Sequence, residues 1–266
     1  ITMAQAGALE KILGVKVYVG MRYWRPFIED TVEEIINDGV DNLIVLSMYP
    51  HYSKATTGSS VAEFKRAISR GKGQGARGKG RQDIQIQYIK QWYDFPPYID
   101  ALAELIAEGL EEFRGHDFDI LYSAHSLPQS FIDEGDPYLE HIKSTISAVN
   151  SLLLNRRPSP LRWHLAFQSK TGPVKWLEPT TEETLKKLAD AGCRNLFVVP
   201  VSFVSDHIET LYEIDILYKN LAEKHGINLK RCRALNTSGK FILALKELIL
   251  EKQGSRGRGF KGEIRL

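Results

Sequence analysis

Residues 119–128 read Asp-Ile-Leu-Tyr-Ser-Ala-His-Ser-Leu-Pro, an apolar run that stops on a histidine and a turn. Similar short runs, rich in β-branched residues, recur at Val15 to Gly20, Leu43 to Met48, Ile84 to Lys90, Arg162 to Phe167, Leu196 to Phe203 and Arg231 to Leu235. Amphipathic stretches separate them. That alternation is the pattern of parallel strands joined by crossover helices, and it predicts an α/β fold. Pro26 at a first helical turn, Ile28, Val32, Ile35 and Ile36 on one face and Gly39 at the end mark one helix. Another starts near Pro97 and turns Ile99, Leu102, Leu105, Ile106 and Leu110 inward.

The predicted strands fall into two groups on either side of Arg114 to Asp117, which gives two doubly wound parallel-sheet domains, residues 1–115 and 116–238. Two domains also suit a chain of 266 residues. The first group is one strand short. Ile1 opens onto Met3, Ala4, Ala6, Ala8 and Leu9, the pattern of a helix interior, so the expectation is a first domain that lacks its N-terminal strand.

Hydrophobic residues at 43%, charged residues at 26% and a mean hydropathy of -0.25 suit a globular core and exclude fibrous and disordered classes for most of the chain. The longest apolar stretch, Leu196 to Val204, is interrupted by Pro200 and Ser202 and falls short of the roughly 20 residues that a membrane-spanning helix needs. Charge is unevenly placed. Of 35 basic and 33 acidic residues, ten and one lie in two glycine-rich tracts, Arg70 to Arg81 and Lys252 to Arg265, leaving 25 and 32 in the rest, about -7. These tracts bury nothing, so flexible segments are expected over 70–82 and 253–266. No aromatic residue interleaves the first tract to stack bases, so no nucleic-acid partner is expected. The two cysteines, Cys193 and Cys232, provide no disulfide framework. Together with the absence of a secretory signal they point to the cytoplasm.

In an open α/β sheet, ligands bind beyond the carboxyl ends of the strands. The loops there carry Met21-Arg22-Tyr23-Trp24, Tyr49-Pro50-His51-Tyr52-Ser53, Gln91-Trp92-Tyr93, His125-Ser126-Leu127-Pro128, Gln168-Ser169-Lys170 and Ser205-Asp206-His207-Ile208-Glu209. Flat side chains mixed with Arg, His and Glu suit a large planar ligand with acidic edges. Neither G-x-G-x-x-G after a strand nor G-x-x-x-x-G-K-[ST] occurs, which removes the main support for dinucleotide and P-loop readings. Taken alone, His125 at a strand end is more often structural than catalytic. A helix predicted after Ser205 or Asp206 as N-cap adds Glu209 and Glu213, four apart and on one face. In a crevice, such a pair would raise a carboxyl pKa and attract a cation or accept protons. His207 is read as a helix-start residue.

At these residues the chain resembles the ferrochelatase family. The likeness is carried by Ser123-Ala124-His125-Ser126-Leu127-Pro128, Gly135-Asp136-Pro137-Tyr138, Phe167-Gln168-Ser169-Lys170 with Gly172-Pro173 and Trp176-Leu177, and Ser205 through Glu213. Met21-Arg22-Tyr23, Tyr49 through Ser53 and Thr56 through Ser60 agree with it. The resemblance implies two Rossmann-like, chelatase-type domains with porphyrin between them, and a final helix at 239–252 that packs on the first. It also implies insertion of ferrous iron into protoporphyrin IX. His125 and Glu209 would then be the catalytic pair and the metal ligands, with Arg22, Tyr23, Tyr49, Ser53, Gln168 and Glu213 binding substrate. Porphyrin and ferrous iron are the implied partners. Iron is a substrate on this reading, so no cofactor is required. A coproporphyrin-specific enzyme, a tetrapyrrole carrier without turnover and a related cobalt chelatase are the alternatives. Departures from the family pattern are Leu217 where an acid is common, Phe167 where Trp is common, and Lys54 where animal relatives have a cluster-ligating Cys; no iron-sulfur cluster is expected. Crevice-lip aromatics such as Trp24 suit either a membrane surface or a ligand wall.

Overall fold

In the computed structural model, which describes residues 1–74, 84–156 and 161–254, most of the apolar runs become parallel strands and the stretches between them helices. In chain order the elements are α1 (Thr2–Leu13), α2 (Ile28–Asn37), β1 (Asn42–Leu46), a π-helix π1 (Lys54–Gly58) leading into α3 (Ser59–Gln74), and β2 (Gln85–Ile89). Next come α4 (Pro96–Leu110), β3 (Asp119–His125), α5 (Gln129–Asp133), α6 (Tyr138–Arg156), β4 (Trp163–Gln168) and α7 (Thr181–Asp190). The last are β5 (Asn195–Pro200), a second π-helix π2 (Glu209–Tyr218) continuing as α8 (Lys219–Lys224), β6 (Asn228–Arg231) and α9 (Gly239–Gly254). The chain divides into one unit of Ile1–Trp92 with the segment from Thr237, and another of Tyr93–Asn236. That places the division ahead of the expected Arg114 to Asp117. The reason is α4, which packs on α6 and β5 inside the second unit. Gly109 makes the approach to β5 possible, because a Cβ there would run into the ring of Phe197, itself 1% exposed.

In the first unit β1 and β2 pair in parallel from Asn42↔Gln85 to Leu46↔Ile89. Ile28, Val32 and Ile35 of α2 meet Leu43 of β1 and Phe64, Ala67 and Ile68 of α3 in one core. Burial of each large aliphatic or aromatic side chain of this kind contributes about 1.5–3 kcal/mol. Trp92 donates from Nε1 to the Ser47 carbonyl at 2.8 Å and lies 6.1 Å, centroid to centroid, from Phe241 of α9. Two expectations change here. The segment Val15–Gly20 joins no ladder among the described residues; side chains serve its backbone instead, the Glu10 carboxylate accepting from Val17 N at 2.8 Å and the Thr31 hydroxyl donating to the Val19 carbonyl at 2.7 Å. Helix α2 starts at Ile28, so Pro26 precedes the helix rather than occupying its first turn. Of the tract expected to be flexible over 70–82, residues 70–74 continue α3, and Arg70 pairs with Glu29 at 2.8 Å. Positions 75–82 of that tract, and 255–266 of the C-terminal one, lie outside the described residues.

The second unit holds a parallel sheet in the order β4-β3-β5-β6. Ile120, Leu121, Tyr122 and Ala124 of β3 are fully buried, as a strand covered on both faces requires. Helix α7 begins with a capping box: Thr180 Oγ1 accepts from Glu183 N at 3.2 Å and the Glu183 carboxylate accepts from Thr180 N at 3.0 Å. The predicted strand Leu196 to Phe203 ends earlier, at Pro200, which has no N–H for a ladder. Strand β6 forms three residues ahead of the predicted Arg231 to Leu235, paired with β5 from Asn195↔Asn228 onward. Successive strands leave β3 in opposite directions, β4 to one side and β5 to the other, which makes its carboxyl end a topological switch point. Among the described residues no helix is long and apolar enough to cross a membrane.

Candidate active site

His125 is the last residue of β3, at that switch point. Its backbone is held on both sides: its N–H donates to Ser202 Oγ at 3.0 Å, and its carbonyl accepts from Tyr138 Oη at 3.0 Å. The ring is oriented as firmly. Nδ1 lies 2.6 Å from the Ser126 carbonyl, which can only accept, so Nδ1 carries a proton and, in the neutral tautomer, the lone pair is on Nε2. Phe203 stands edge-on to the ring, with centroids 6.3 Å apart.

Facing Nε2 is Oε2 of Glu209, at 3.6 Å. This is too long for a direct hydrogen bond. Oε2 is buried and has no hydrogen-bond partner, which is unusual for a carboxylate oxygen. Burial raises the Glu209 pKa, His125 opposes the rise and the charge of Glu213 adds to it. Glu213 is anchored by Gln168 Nε2 at 3.0 Å and by Ser169 Oγ at 2.6 Å. Ser169 adopts φ 64°, a left-handed conformation rarely taken by a non-glycine residue and often found at functional sites.

The head of π2 departs from the expected N-cap. Ile208 occupies that position and caps nothing with its side chain. Instead His207 Nδ1 accepts from Glu209 N at 3.2 Å, and burial lowers the His207 pKa. Asp206 is locked in place by Arg231 at 2.8 Å and by Asn236 Nδ2 at 2.7 Å, while Arg231 grips Asp215 through two bonds of 2.7 and 2.8 Å. The loop before Glu209 is therefore tied to the end of β6.

The second unit thus brings together His125, Glu209, Gln168 and Glu213. Gln168 is 1% exposed and directs its carboxamide at protein groups, so it supports the site from behind. In the first unit, Arg22 donates from Nε to Ser59 Oγ at 3.1 Å, lies 3.7 Å from Glu63 and sits over the Tyr23 ring. Tyr23 is 74% and Tyr49 43% exposed, whereas Ser53 is fully buried and caps π1 by accepting from Ala55 N at 3.1 Å. Ser123, Tyr138, Ser202 and Phe203 were not singled out as site residues from sequence. Ser123 and Tyr138 stood inside the quoted motifs, but their roles depend on residues far away in the chain. Among the described residues no group of three or more His, Cys, Asp or Glu side chains gathers around a point, so His125 and Glu209 would leave most positions on a metal ion open. Cys193 and Cys232 are buried free thiols, pushed by burial up to about 11 and about 12, and hence protonated.

A family model described as Ferrochelatase matches residues 1–253. The ferrochelatase of Geotalea uraniireducens is 51% identical over 253 residues, covering 94% of this chain and 75% of the relative. That of Synechocystis sp. is 44% identical over 259 residues, covering 94% of this chain and 64% of the relative. Among solved structures, the sirohydrochlorin chelatase SirB from Bacillus subtilis subspecies spizizenii, in complex with cobalt, has a TM-score of 0.61 at 15% identity, covering 94% of this chain and 88% of that one, a likeness of fold. With a match that runs through both units and takes in the strand-end histidine and the head of π2, the chain belongs to the ferrochelatase family of porphyrin-metallating lyases.

Proposed function

We propose that this chain inserts ferrous iron into protoporphyrin IX, with His125 and Glu209 at the metal and proton-transfer site. The observation that carries this reading is the pair itself: an imidazole Nε2 and a buried carboxylate oxygen without a hydrogen bond, 3.6 Å apart at a topological switch point. Nitrogen and oxygen donors suit a first-row divalent ion. Ligand bonds of about 2.1 Å to each atom would span that gap at an angle of about 120°, leaving the other positions for water and then for pyrrole nitrogens.

The reaction replaces two pyrrole N–H protons with one ferrous ion, so two protons must leave. His125 Nε2 and the Glu209 carboxylate are the candidate bases at hand. The raised pKa of Glu209 brings its basicity nearer to working pH, which favours proton uptake from a developing pyrrolide. Arg22, Tyr23 and Tyr49 are assigned to the porphyrin as contacts on the first unit, with the Arg22 guanidinium matched to an acidic edge. Iron is consumed as a substrate, and no resident cofactor enters these steps. The exposed Trp24, 76% accessible beside Tyr23, is assigned to a ligand wall or to peripheral contact with a membrane surface in a cytoplasmic protein.

Mixing the chain with protoporphyrin IX and ferrous iron or zinc should abolish the free-base porphyrin fluorescence. His125→Ala should stop this while porphyrin still binds. Tight binding with no loss of free-base signal in the parent chain would mark a carrier, and a faster rate with coproporphyrin would move the substrate assignment.

A further inference from the structure

Gln168 and His125 are ladder partners: β3 and β4 pair in the register His125↔Gln168, and Ser123 lies two residues before His125 on the same side of β3. The carboxamide of Gln168 is committed on both ends. Nε2 donates to the Glu209 carbonyl at 3.1 Å and to Glu213 Oε2 at 3.0 Å, while Oε1 accepts from Ser123 Oγ at 2.6 Å. The Glu209 carbonyl and the Glu213 carboxylate can only accept, so the NH2 must face π2. That turns Oε1 inward, where the Ser123 hydroxyl, itself fully buried, is the donor. A single amide therefore holds π2 at its first residue and again four residues later, and a strand hydroxyl fixes the amide.

We infer that Gln168, locked by Ser123, is a positioning residue that sets the His125–Glu209 separation and does not itself touch porphyrin. This rests on reading His125 and Glu209 as the working pair. The separation is then tied to the β3–β4 ladder: His125 ends one strand, and the Gln168 side chain at the end of the other holds the Glu209 carbonyl, alongside the bond from Ser169 to Glu213 and the bond between His207 and Glu209 N.

The test compares Ser123→Ala, Ser123→Cys and Gln168→Met in zinc insertion into protoporphyrin IX, with hydrogen exchange of the amides in 209–213 measured in parallel. Ser123→Ala should lower kcat about tenfold with the porphyrin KM within about twofold. The same variant should speed exchange across 209–213 about tenfold and leave α3 unchanged. Ser123→Cys, which keeps a weak donor of similar size, should fall between parent and Ser123→Ala. Gln168→Met should reproduce the Ser123→Ala pattern, and if it fails to fold, Ser123→Ala decides. A higher porphyrin KM at unchanged kcat would make Gln168 a substrate contact and overturn the inference. Unchanged exchange at 209–213 would overturn it too, as would a Cys variant no better than Ala. If the parent chain metallates no porphyrin, the proposed function fails, and the exchange data alone still decide the positioning role.

Discussion

Both units run a parallel strand through a short loop into a π-helix, yet the two π-helices are secured differently. In the first unit π1 is held by nearby hydroxyls: Ser53 caps it, and Ser47 and Thr57 share a hydrogen bond of 2.7 Å. In the second, π2 is held from outside by Gln168 and Ser169, and the loop ahead of it by Arg231 and Asn236. Local anchoring leaves the uncharged Thr56 hydroxyl of π1 buried without a hydrogen-bond partner. Anchoring from neighbouring strands leaves Glu209, at the head of π2, with a buried oxygen that takes no hydrogen bond and faces His125 Nε2 at 3.6 Å.

The contrast breaks first if chemistry is absent from the second unit. His125→Ala and Glu209→Gln should each lower the insertion rate by on the order of 10²–10⁴, measured as metalloporphyrin absorbance against time. On the proposed mechanism ionised Glu209 accepts the proton, so the parent rate should fall as pH drops through a pKa above the ordinary glutamate value, and that limb should disappear in Glu209→Gln.

Packing gives the next largest effect. Gly109→Ala forces a methyl group into the Phe197 ring and should cost about 1–3 kcal/mol in a denaturant melt. Gly7→Ala on α1, with open space around its Cβ, should instead gain up to about 1 kcal/mol.

A carboxyl whose pKa is raised on folding favours its protonated form in the native state. Ionising Glu209 therefore costs stability as pH rises through the folded pKa. Glu209→Gln should raise Tm at neutral pH, and the gain should vanish below the unfolded glutamate pKa. Ser53→Ala should cost about 1 kcal/mol through its lost cap; a rise in porphyrin KM would instead restore Ser53 as a substrate contact.

Much of the fold was legible because burial leaves a compositional mark. The run at Ile120 to Ala124, the face of α2 from Ile28 to Ile35 and the inward side of α4 are apolar whatever their neighbours. Val15 to Gly20 has the same look, but a strand needs a partner, and here Glu10 and Thr31 serve its backbone instead. The end of β5 was read too late, at Phe203; the strand stops at Pro200, and one further bond, from Val201 N to the Ser123 carbonyl at 2.9 Å, follows it. The unit boundary was not legible, because α4 could be assigned only by what it packs on.

At the site, sequence alone determined which groups exist: an imidazole after an apolar strand, acids spaced four apart, and motifs specific enough to point to the family. Only the tertiary structure decided that His125 Nε2 and Glu209 Oε2 stand 3.6 Å apart, that Ser53 and Gln168 face inward, and that 209–218 winds as a π-helix. Side-chain chemistry is written residue by residue. Separation, burial and lone-pair direction arise from strand register and from hydrogen bonds between residues tens of positions apart, and one-dimensional spacing carries no record of these.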